Sequence, residues 1–562
     1  MKKSKWSLLM TLVLVLSMFL AACSGGGGGT DTTDDGDTGS DGDKGTTEEK
    51  AEPQVLNIIE SAEIPTMDSV MGTDAVAFQV MAGVFEGLYR LGKDMQPVPG
   101  IAERHEVSDD QLVYTFHLRD AKWTNGTPVT AKDFVYSWQK AVNPETASQY
   151  SFILGPVKNA AAISAGDMKP SELGVEAVDD KTLKVTLERP TPYFLSLTTF
   201  ATFLPQNQEY VESQGDNYAL EADTMIYNGP FTLTEWKHEE GWVMKKNPDY
   251  WDAETVKLEE INVKVVKDPA TAVNLYETGK IDRVGLSSEY VNKYKDHPDF
   301  KSYGEAVLFY FKYNQTRNEA LANADVRKAL SMAINKEDLV NVILNNGSIP
   351  AYFAVPKDFV TNPETGEDFR AANGDMLKYN VEKAQEHWEK GLEALGKDKV
   401  TLEILGGDTE TSKKMQAYFK AQLEENLPGL TIELKGVPFK QRLELDEAQD
   451  YDIQFAGWGP DYQDAMTFVD LWVTDGGHNK MGYSNPEYDA LVEAAKTELA
   501  GKPVERFEAM QKAEKMLLTE DAAIGPLYQR GTSQLWKPYV KNVYINSFGP
   551  DYTYKWAYIE GK

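Results

Sequence analysis

Residues Tyr451–Asp470 read YDIQFAGWGPDYQDAMTFVD, an apolar run followed by a glycine-rich break and two acids. The run Tyr451–Ala456 predicts a short buried strand, because aromatic and apolar residues dominate it. Gly457 and Gly459 then flank a single Trp458 and end the strand. Glycine has no Cβ atom, so a second backbone can approach this strand end closely. The stretch therefore predicts an open strand edge beside an aromatic wall.

Two acids follow the glycine break directly. Asp461 comes first, and Tyr462 and Gln463 separate it from the second acid, Asp464. A carboxylate beside an open strand edge suits an extended ligand with a positively charged end, such as the free amino terminus of a peptide. A buried strand followed by an acidic turn is the alternative, and the residues by themselves leave both interpretations open.

Four segments together carry a resemblance to a known family. The segment Ala456–Phe468, and also Tyr114–Pro144, Asn247–Asp252 and Asp325–Leu339, are similar to the solute-binding lipoproteins of oligopeptide ABC importers, extracellular solute-binding protein family 5. The resemblance covers nearly the whole chain after the amino-terminal linker. The segment Tyr114–Pro144 is typical of peptide, nickel and related binders as a class. The segment around Asp461 narrows the resemblance to oligopeptides.

The resemblance implies a peptide site between two lobes. Asp461 would pair with the α-ammonium group of the peptide, and the peptide would add as a strand to Gly457–Gly459 on one side and Ala62–Ile64 on the other. Glu63 and Tyr136 match ligand-facing family positions, although a loop acid and a core or surface tyrosine explain them equally well. The expected ligand-binding residues are Asp461, Trp458, Gly457, Gly459, Tyr462, Glu63, Tyr136, Phe455 and Tyr528.

The carboxyl end of the peptide is expected to be held loosely. Enteric members of the family carry arginines at two positions that fall, by alignment, on Phe455 and less securely on Asp446. Neither residue is cationic, so no single peptide length is favoured electrostatically. Lys413 and Lys440 lie in the same lobe and are the alternatives that the sequence offers.

The amino terminus predicts export and lipidation. Residues 1–22 join three lysines to an apolar run too short to cross a bilayer, as in a signal peptide. They end in a sequence that resembles a bacterial lipobox, which implies lipidation of Cys23 and anchoring to the outside of a Gram-positive-like cell membrane. Cys23 is the only cysteine, so no disulfide forms. Residues 23–52 are Gly-rich and acidic and predict a disordered tether.

Composition and motifs exclude several classes. The formal charge of −31 argues against nucleic acid and against a helix lying on anionic lipid. The six histidines are scattered, and neither a His-Glu-x-x-His pair nor a Gly-x-Ser-x-Gly elbow occurs. We therefore expect no catalytic residue, no metal and no cofactor.

Strands alternate with helices along the chain, which predicts an α/β architecture. With the resemblance, this becomes a two-lobed periplasmic-binding-protein-like fold of type II. The expected first lobe comprises residues 53–80, 200–305 and 530–562, with a subdomain of residues 81–199 inserted in it, and residues 306–529 form the second lobe. A capping box is expected at Thr130–Asp133, and the helical spacing predicts helices at Gln79–Arg90, Val326–Leu344, Val381–Leu395, Ser412–Leu427 and Tyr488–Glu520.

The expected function is the capture of oligopeptides and their delivery to an ABC importer. The implied partners are a membrane permease and its ATPase subunits, with the binding protein itself a monomer. Three alternatives stay open. The same fold binds an oligosaccharide or a metal chelate, it serves as a peptide-signal receptor, or the protein is an extracellular peptidase.

Overall fold

The computed structural model describes residues Glu52–Lys562. The predicted signal peptide, the lipidation of Cys23 and nearly all of the predicted tether lie outside the described residues. The described chain is a mixed α/β protein whose strands form two four-stranded sheets, one seven-stranded sheet and several two-stranded pairs. Within this range no helix combines the length and the apolar character that a membrane crossing requires.

The core of the first lobe is a four-stranded sheet. Apolar residues alternate along its strands, and Leu56, Ile58 and Ile261 are buried. The two strands that begin at Val55 and Glu260 are parallel, whereas the other neighbours are antiparallel. In spatial order the strands are Val55–Glu60, Glu260–Val265, Gly241–Lys246 and Phe231–Lys237.

A second four-stranded sheet lies between the first two strands of that lobe in the sequence. Helix Ala131–Val142 packs on it with Phe134 and Trp138 fully buried. The predicted capping box is confirmed, since Asp133 accepts a hydrogen bond from the backbone N–H of Thr130 at 2.8 Å. In spatial order the strands are Ala102–Val107, Val113–Leu118, Thr182–Thr186 and Val175–Asp179.

The seven-stranded sheet connects the two lobes. Its two central antiparallel strands, Phe300–Tyr313 and Ile524–Trp536, are 14 and 13 residues long. One end of this pair packs in the hydrophobic cluster around Ile59, and the other end packs in the cluster of the second lobe. The pair therefore forms the hinge. In spatial order the strands are Arg283–Gly285, Ile524–Trp536, Phe300–Tyr313, Ile453–Trp458, Val400–Gly407 and Leu430–Val437, with Ile349–Pro350 beside Ile524–Trp536.

Helices Glu410–Asn426 and Phe439–Glu447 pack against strands of this sheet in the second lobe. Helix Val381–Leu395 has the predicted bounds, and it ends because Gly396 adopts a left-handed φ of 63°. The longer helices of the described chain are Ala75–Val84, Ala131–Val142, Gln208–Gln214, Pro269–Glu277, Ser288–Tyr294, Ala324–Met332, Val381–Leu395, Glu410–Asn426, Phe439–Glu447, Pro486–Lys496 and Pro503–Lys515.

The prediction of one helix over Val326–Leu344 is wrong. The helix stops at Met332, and the side chain of Asn335 then accepts a hydrogen bond from the backbone N–H of Asp338 at 3.1 Å. An asparagine in this role starts a new helix, because it satisfies a backbone donor that has no partner within the helix. The chain continues as a short turn and a π-helix, Leu339–Leu344.

Two further predicted helices are shorter than expected. Helix Ala75–Val84 ends where Phe85 becomes extended, and Tyr89–Leu91 forms a strand in place of the predicted last turn. Gly229 presses against this end, since a Cβ atom on it would lie 2.4 Å from the carbonyl carbon of Val84. The helix predicted over Tyr488–Glu520 is broken instead, because Pro503 starts a new helix there.

Candidate functional site

The open strand edge predicted from the glycines is present. Strand Ile453–Trp458 pairs along one edge with Phe300–Tyr313 as far as Trp458. Along its other edge it pairs with Val400–Gly407 only at Ile453 and Gln454. In the described chain, residues 455–458 pair with no strand along that second edge, and the Phe455 carbonyl oxygen accepts a hydrogen bond from Arg442.

Asp461 lies buried just beyond this edge. Its side chain accepts a hydrogen bond from the Tyr150 hydroxyl at 3.4 Å through Oδ1, and its backbone N–H donates to Thr467 at 3.1 Å. Among the described residues no donor reaches its Oδ2, although Asp461 is only 5% exposed. Burial raises the pKa of Asp461 well above its usual value, and the Tyr150 bond offsets this only in part. No cationic side chain of the described residues pairs with this carboxylate.

Aromatic rings from both lobes surround this carboxylate. The indole of Trp458 stacks on Tyr150 with 5.9 Å between ring centroids and 10° between planes, and His478 meets it edge-on at 4.5 Å. Burial, with Lys312 and Lys480 nearby, lowers the pKa of His478 well below its usual value, so this ring is neutral. Tyr150 lies in the segment that carries the second four-stranded sheet, so its stack with Trp458 joins that segment to the strand Ile453–Trp458.

The second acid of the motif has a different role. Asp464 accepts two hydrogen bonds from the Arg506 guanidinium, at 2.8 and 2.9 Å. Tyr462, between the two acids, stacks on Tyr193 with centroids 5.0 Å apart. Of the two acids, only Asp461 has a side-chain oxygen without a partner in the described chain.

The rings of Phe455 and Tyr528 both pack against Phe309. Phe309 stacks on Tyr528 at 4.7 Å and lies 5.6 Å from Phe455, centroid to centroid. A Cβ atom on Gly457 would lie 2.8 Å from the Phe309 ring, whereas one on Gly459 would lie 3.4 Å from the nearest side-chain carbon. Contact with the Phe309 ring therefore accounts for the glycine at position 457 without reference to a ligand.

Glu63 and Tyr136 lie in different environments. Glu63 forms an ion pair with His238 Nδ1, while Nε2 of the same ring lies 3.2 Å from Glu221. Burial lowers the pKa of His238, but its hydrogen bonds to the two glutamates outweigh that effect and raise the pKa overall. Tyr136 is half-buried near Asp68, and in the described chain it makes no hydrogen bond or ring stack with the residues around Asp461.

A cavity of about 130 Å³ lies between the lobes beside the open edge. Arg442 lines it and was not among the residues selected from the sequence. Its Nη1 donates to the carbonyl oxygen of Phe455 at 2.8 Å, and its guanidinium lies 5.0 Å from the Phe439 ring centroid. The other lining residues are Ser61, Ala62, Glu63, Glu239, Lys267, Gly407, Asp408, Thr409, Ser412, Phe439, Lys440 and Phe455.

The residues expected to decide carboxyl-end binding are placed differently. Asp446 forms a 2.8 Å ion pair with the fully buried Lys312, so its charge is neutralised. Lys413 pairs with Glu410 at 2.9 Å, and Lys440 borders the cavity with Arg442. The sequence did carry a signal for Arg442. It lies four residues before Asp446, one of the two positions expected to meet the peptide carboxylate, and residues four apart on a helix share one face.

Several known proteins are similar to this chain in sequence and in fold. Residues 96–480 match the model of the bacterial extracellular solute-binding proteins, family 5 Middle. The dipeptide-binding protein DppE of Bacillus subtilis is 34% identical and is covered over 97% of each chain, and OppA of the same organism is 32% identical over 94% of each. The structure of Listeria monocytogenes OppA bound to peptide superposes with a TM-score of 0.89 at 46% identity, covering 91% of this chain and 100% of that one.

The fold and the cleft thus define an α/β solute-binding protein with two lobes. The chain belongs to family 5 of the bacterial extracellular solute-binding proteins. Membership in this family carries an extracytoplasmic location with it.

We expect Asp461→Asn to stabilise the ligand-free protein at pH 8. The raised pKa of Asp461 means that the folded state resists its ionisation, so the wild type loses stability as pH rises above about 3.9, the pKa of an unfolded aspartate. The difference between variant and wild type should grow by up to about 1.4 kcal/mol per pH unit until the folded pKa is passed. Urea unfolding at pH 5, 6.5 and 8 measures it.

Asp464→Asn is the matched control for this experiment. It removes the charge that Arg506 binds in a bidentate pair, so it should destabilise the protein. If Asp461→Asn destabilises to the same degree at pH 8, then Asp461 has a charged partner and the interpretation above is incorrect.

Proposed function

We propose that this protein captures oligopeptides outside the cytoplasm and delivers them to an ABC importer, without a catalytic step. The observation that carries the proposal is the buried Asp461 oxygen that lacks a donor, set at the end of an open strand edge. An extended peptide supplies a hydrogen-bond donor for this oxygen and a strand for this edge, because its amino terminus is a cation and its backbone is extended. Neutral solutes such as oligosaccharides need no buried carboxylate at one end.

The bound peptide would lie antiparallel or parallel to the open edge of Phe455–Gly459, with Ala62–Ile64 on its other side. Each backbone hydrogen bond contributes only about 0.5–1.5 kcal/mol and does not depend on the peptide's side chains. Such bonds accommodate many sequences. Asp461 then sets the register, because the amino terminus is the one cation that every unmodified peptide carries, whatever its side chains.

We expect Asp461→Ala to weaken binding by about two to three orders of magnitude. The variant leaves a buried ammonium without its partner, which costs about 3–5 kcal/mol. Acetylation of the peptide amino terminus should weaken binding to the wild type comparably. Calorimetry with free and acetylated forms of one peptide tests both expectations. Equal affinity of the two forms would show that the amino terminus is not bound at Asp461.

Arg442 is proposed to receive the peptide carboxylate. It is the arginine of the cavity lining, and the expectation of a loosely held carboxyl end rested on the lack of such a cation. A charge-assisted hydrogen bond contributes about 1.5–3 kcal/mol, equivalent to about ten- to a hundredfold in affinity. Whether this contact selects one peptide length depends on the distance that the peptide spans from Asp461.

We expect Arg442→Ala to weaken binding of a peptide with a free carboxyl end by about ten- to a hundredfold, and of its amidated form by much less. Lys440→Ala is the control, because this cation borders the same cavity but is exposed. Titrations of peptides from three residues upward, free and amidated, give the affinities. A uniform loss for free and amidated peptides would assign Arg442 a structural role only.

The lipid anchor is proposed from the sequence, since Cys23 closes a lipobox and is the only cysteine. One acyl chain binds a membrane weakly, so a diacylglyceryl group with a further chain is needed for retention. We expect Cys23→Ala protein to remain unprocessed or to be shed into the medium. Detergent-phase partition of cell fractions measures this, and cleaved, membrane-held Cys23→Ala protein would contradict the anchor.

A further inference from the structure

A second buried aspartate lies near Tyr150, the residue that contacts Asp461. Asp74 precedes helix Ala75–Val84, and its Oδ1 accepts a hydrogen bond from the backbone N–H of Ala77 at 2.9 Å. Asp74 is 5% exposed, and no described donor reaches its Oδ2. Capping the helix uses only one of the two oxygens, so the other is a buried acceptor without a function in the fold.

Asp74 lies close to the residues that surround Asp461. Phe78, one turn further along the helix, packs edge-on against Tyr150 with centroids 5.5 Å apart. The Tyr150 hydroxyl donates to Asp461. Burial raises the pKa of Tyr150 most, and the charges of Asp461 and Asp74 raise it further. The two carboxylates therefore border the same phenol, one from each lobe.

The charged groups that face Asp74 leave its free oxygen available. Burial raises the pKa of Asp74 to about 7, while the backbone N–H groups of Ala77 and Val76, and Arg442 across the cleft, lower it. Arg442 does not bond to Asp74 in this conformation, since it donates to the Phe455 carbonyl oxygen. A buried carboxylate of this kind gains most from a cation that comes within hydrogen-bond distance.

We propose that Asp74 Oδ2 binds a lysine or arginine side chain of the peptide, belonging to one of the residues next to the amino terminus that Asp461 holds. This inference rests on the proposed function and adds a side-chain preference to it. Long basic side chains bury their methylene stems along apolar residues and place the charged head at a polar group, and Phe78 and Tyr150 are the apolar residues next to Asp74.

The test compares peptides that carry lysine or norleucine at position 1, 2 or 3, bound to wild type and to Asp74→Asn. Asparagine caps a helix as well as aspartate does, so the variant keeps the fold and removes only the charge. At one position, wild type should bind the lysine peptide at least about tenfold tighter than the norleucine peptide, the equivalent of about 1.4 kcal/mol. In Asp74→Asn this preference should disappear, and norleucine peptides should bind as before.

The preference should also depend on pH. The ratio of lysine to norleucine affinity in wild type should rise from pH 5 to pH 8, as Asp74 ionises around its pKa of about 7. Lysine stays protonated throughout, and Asp461 and Tyr150 affect both peptides equally, so they cancel in the ratio. In Asp74→Asn the ratio should stay flat.

Three results would overturn the inference. Equal affinity for lysine and norleucine at all three positions excludes a basic side chain at Asp74. Equal weakening of both peptides by Asp74→Asn would mean that Asp74 binds the ammonium group of the peptide or stabilises the fold. Binding of no peptide to wild type overturns the proposed function together with this inference, whereas the first two results leave peptide binding intact.

Discussion

The arrangement of the cleft depends on one buried carboxylate, Asp461, whose second oxygen has no hydrogen-bond donor among residues 52–562. Placing a polar group in an apolar site without a partner costs about 1–3 kcal/mol, and a charge costs more. The fold nevertheless holds Asp461 there, fixed by Thr467 and contacted on one oxygen only by Tyr150. The ligand-free protein is therefore less stable than it would be with an apolar residue, and a cationic ligand recovers that free energy on binding.

Contacts across the cleft explain why a ligand can control its closure. Lys267 reaches Asp408 at 2.9 Å and Lys414 reaches Ser288 at 3.0 Å, each from one lobe to the other. These pairs are partly exposed, and such pairs contribute about 0–1 kcal/mol. These two pairs therefore contribute little beside the buried ring stacks of Trp458 on Tyr150 and of Tyr462 on Tyr193, to which a ligand at the strand edge adds its own free energy of binding.

Local patterns predicted the elements of the fold, and contacts between distant segments decided the rest. Helix Val381–Leu395 with its terminal Gly396 was predictable, because its apolar spacing and its stop signal lie within one segment. The break in Val326–Leu344 was missed because the apolar stripe continues past it, although Asn335 is a local capping signal. Arg442 was missed since its place at the cavity depends on how a helix packs beside another strand. Asp461 was found through a resemblance, and its orphaned oxygen became visible only with the surrounding residues in place.

The hinge also constrains how the polypeptide reaches its final form after synthesis. Its strands Phe300–Tyr313 and Ile524–Trp536 enclose the whole second lobe between them, and the Gln54 side chain bonds to the Ile559 carbonyl oxygen, 505 positions away. Contacts between such distant positions slow folding, because a large loop must close before they form. The sheet of the first lobe therefore forms late in folding, after segments from both ends of the described chain have come together.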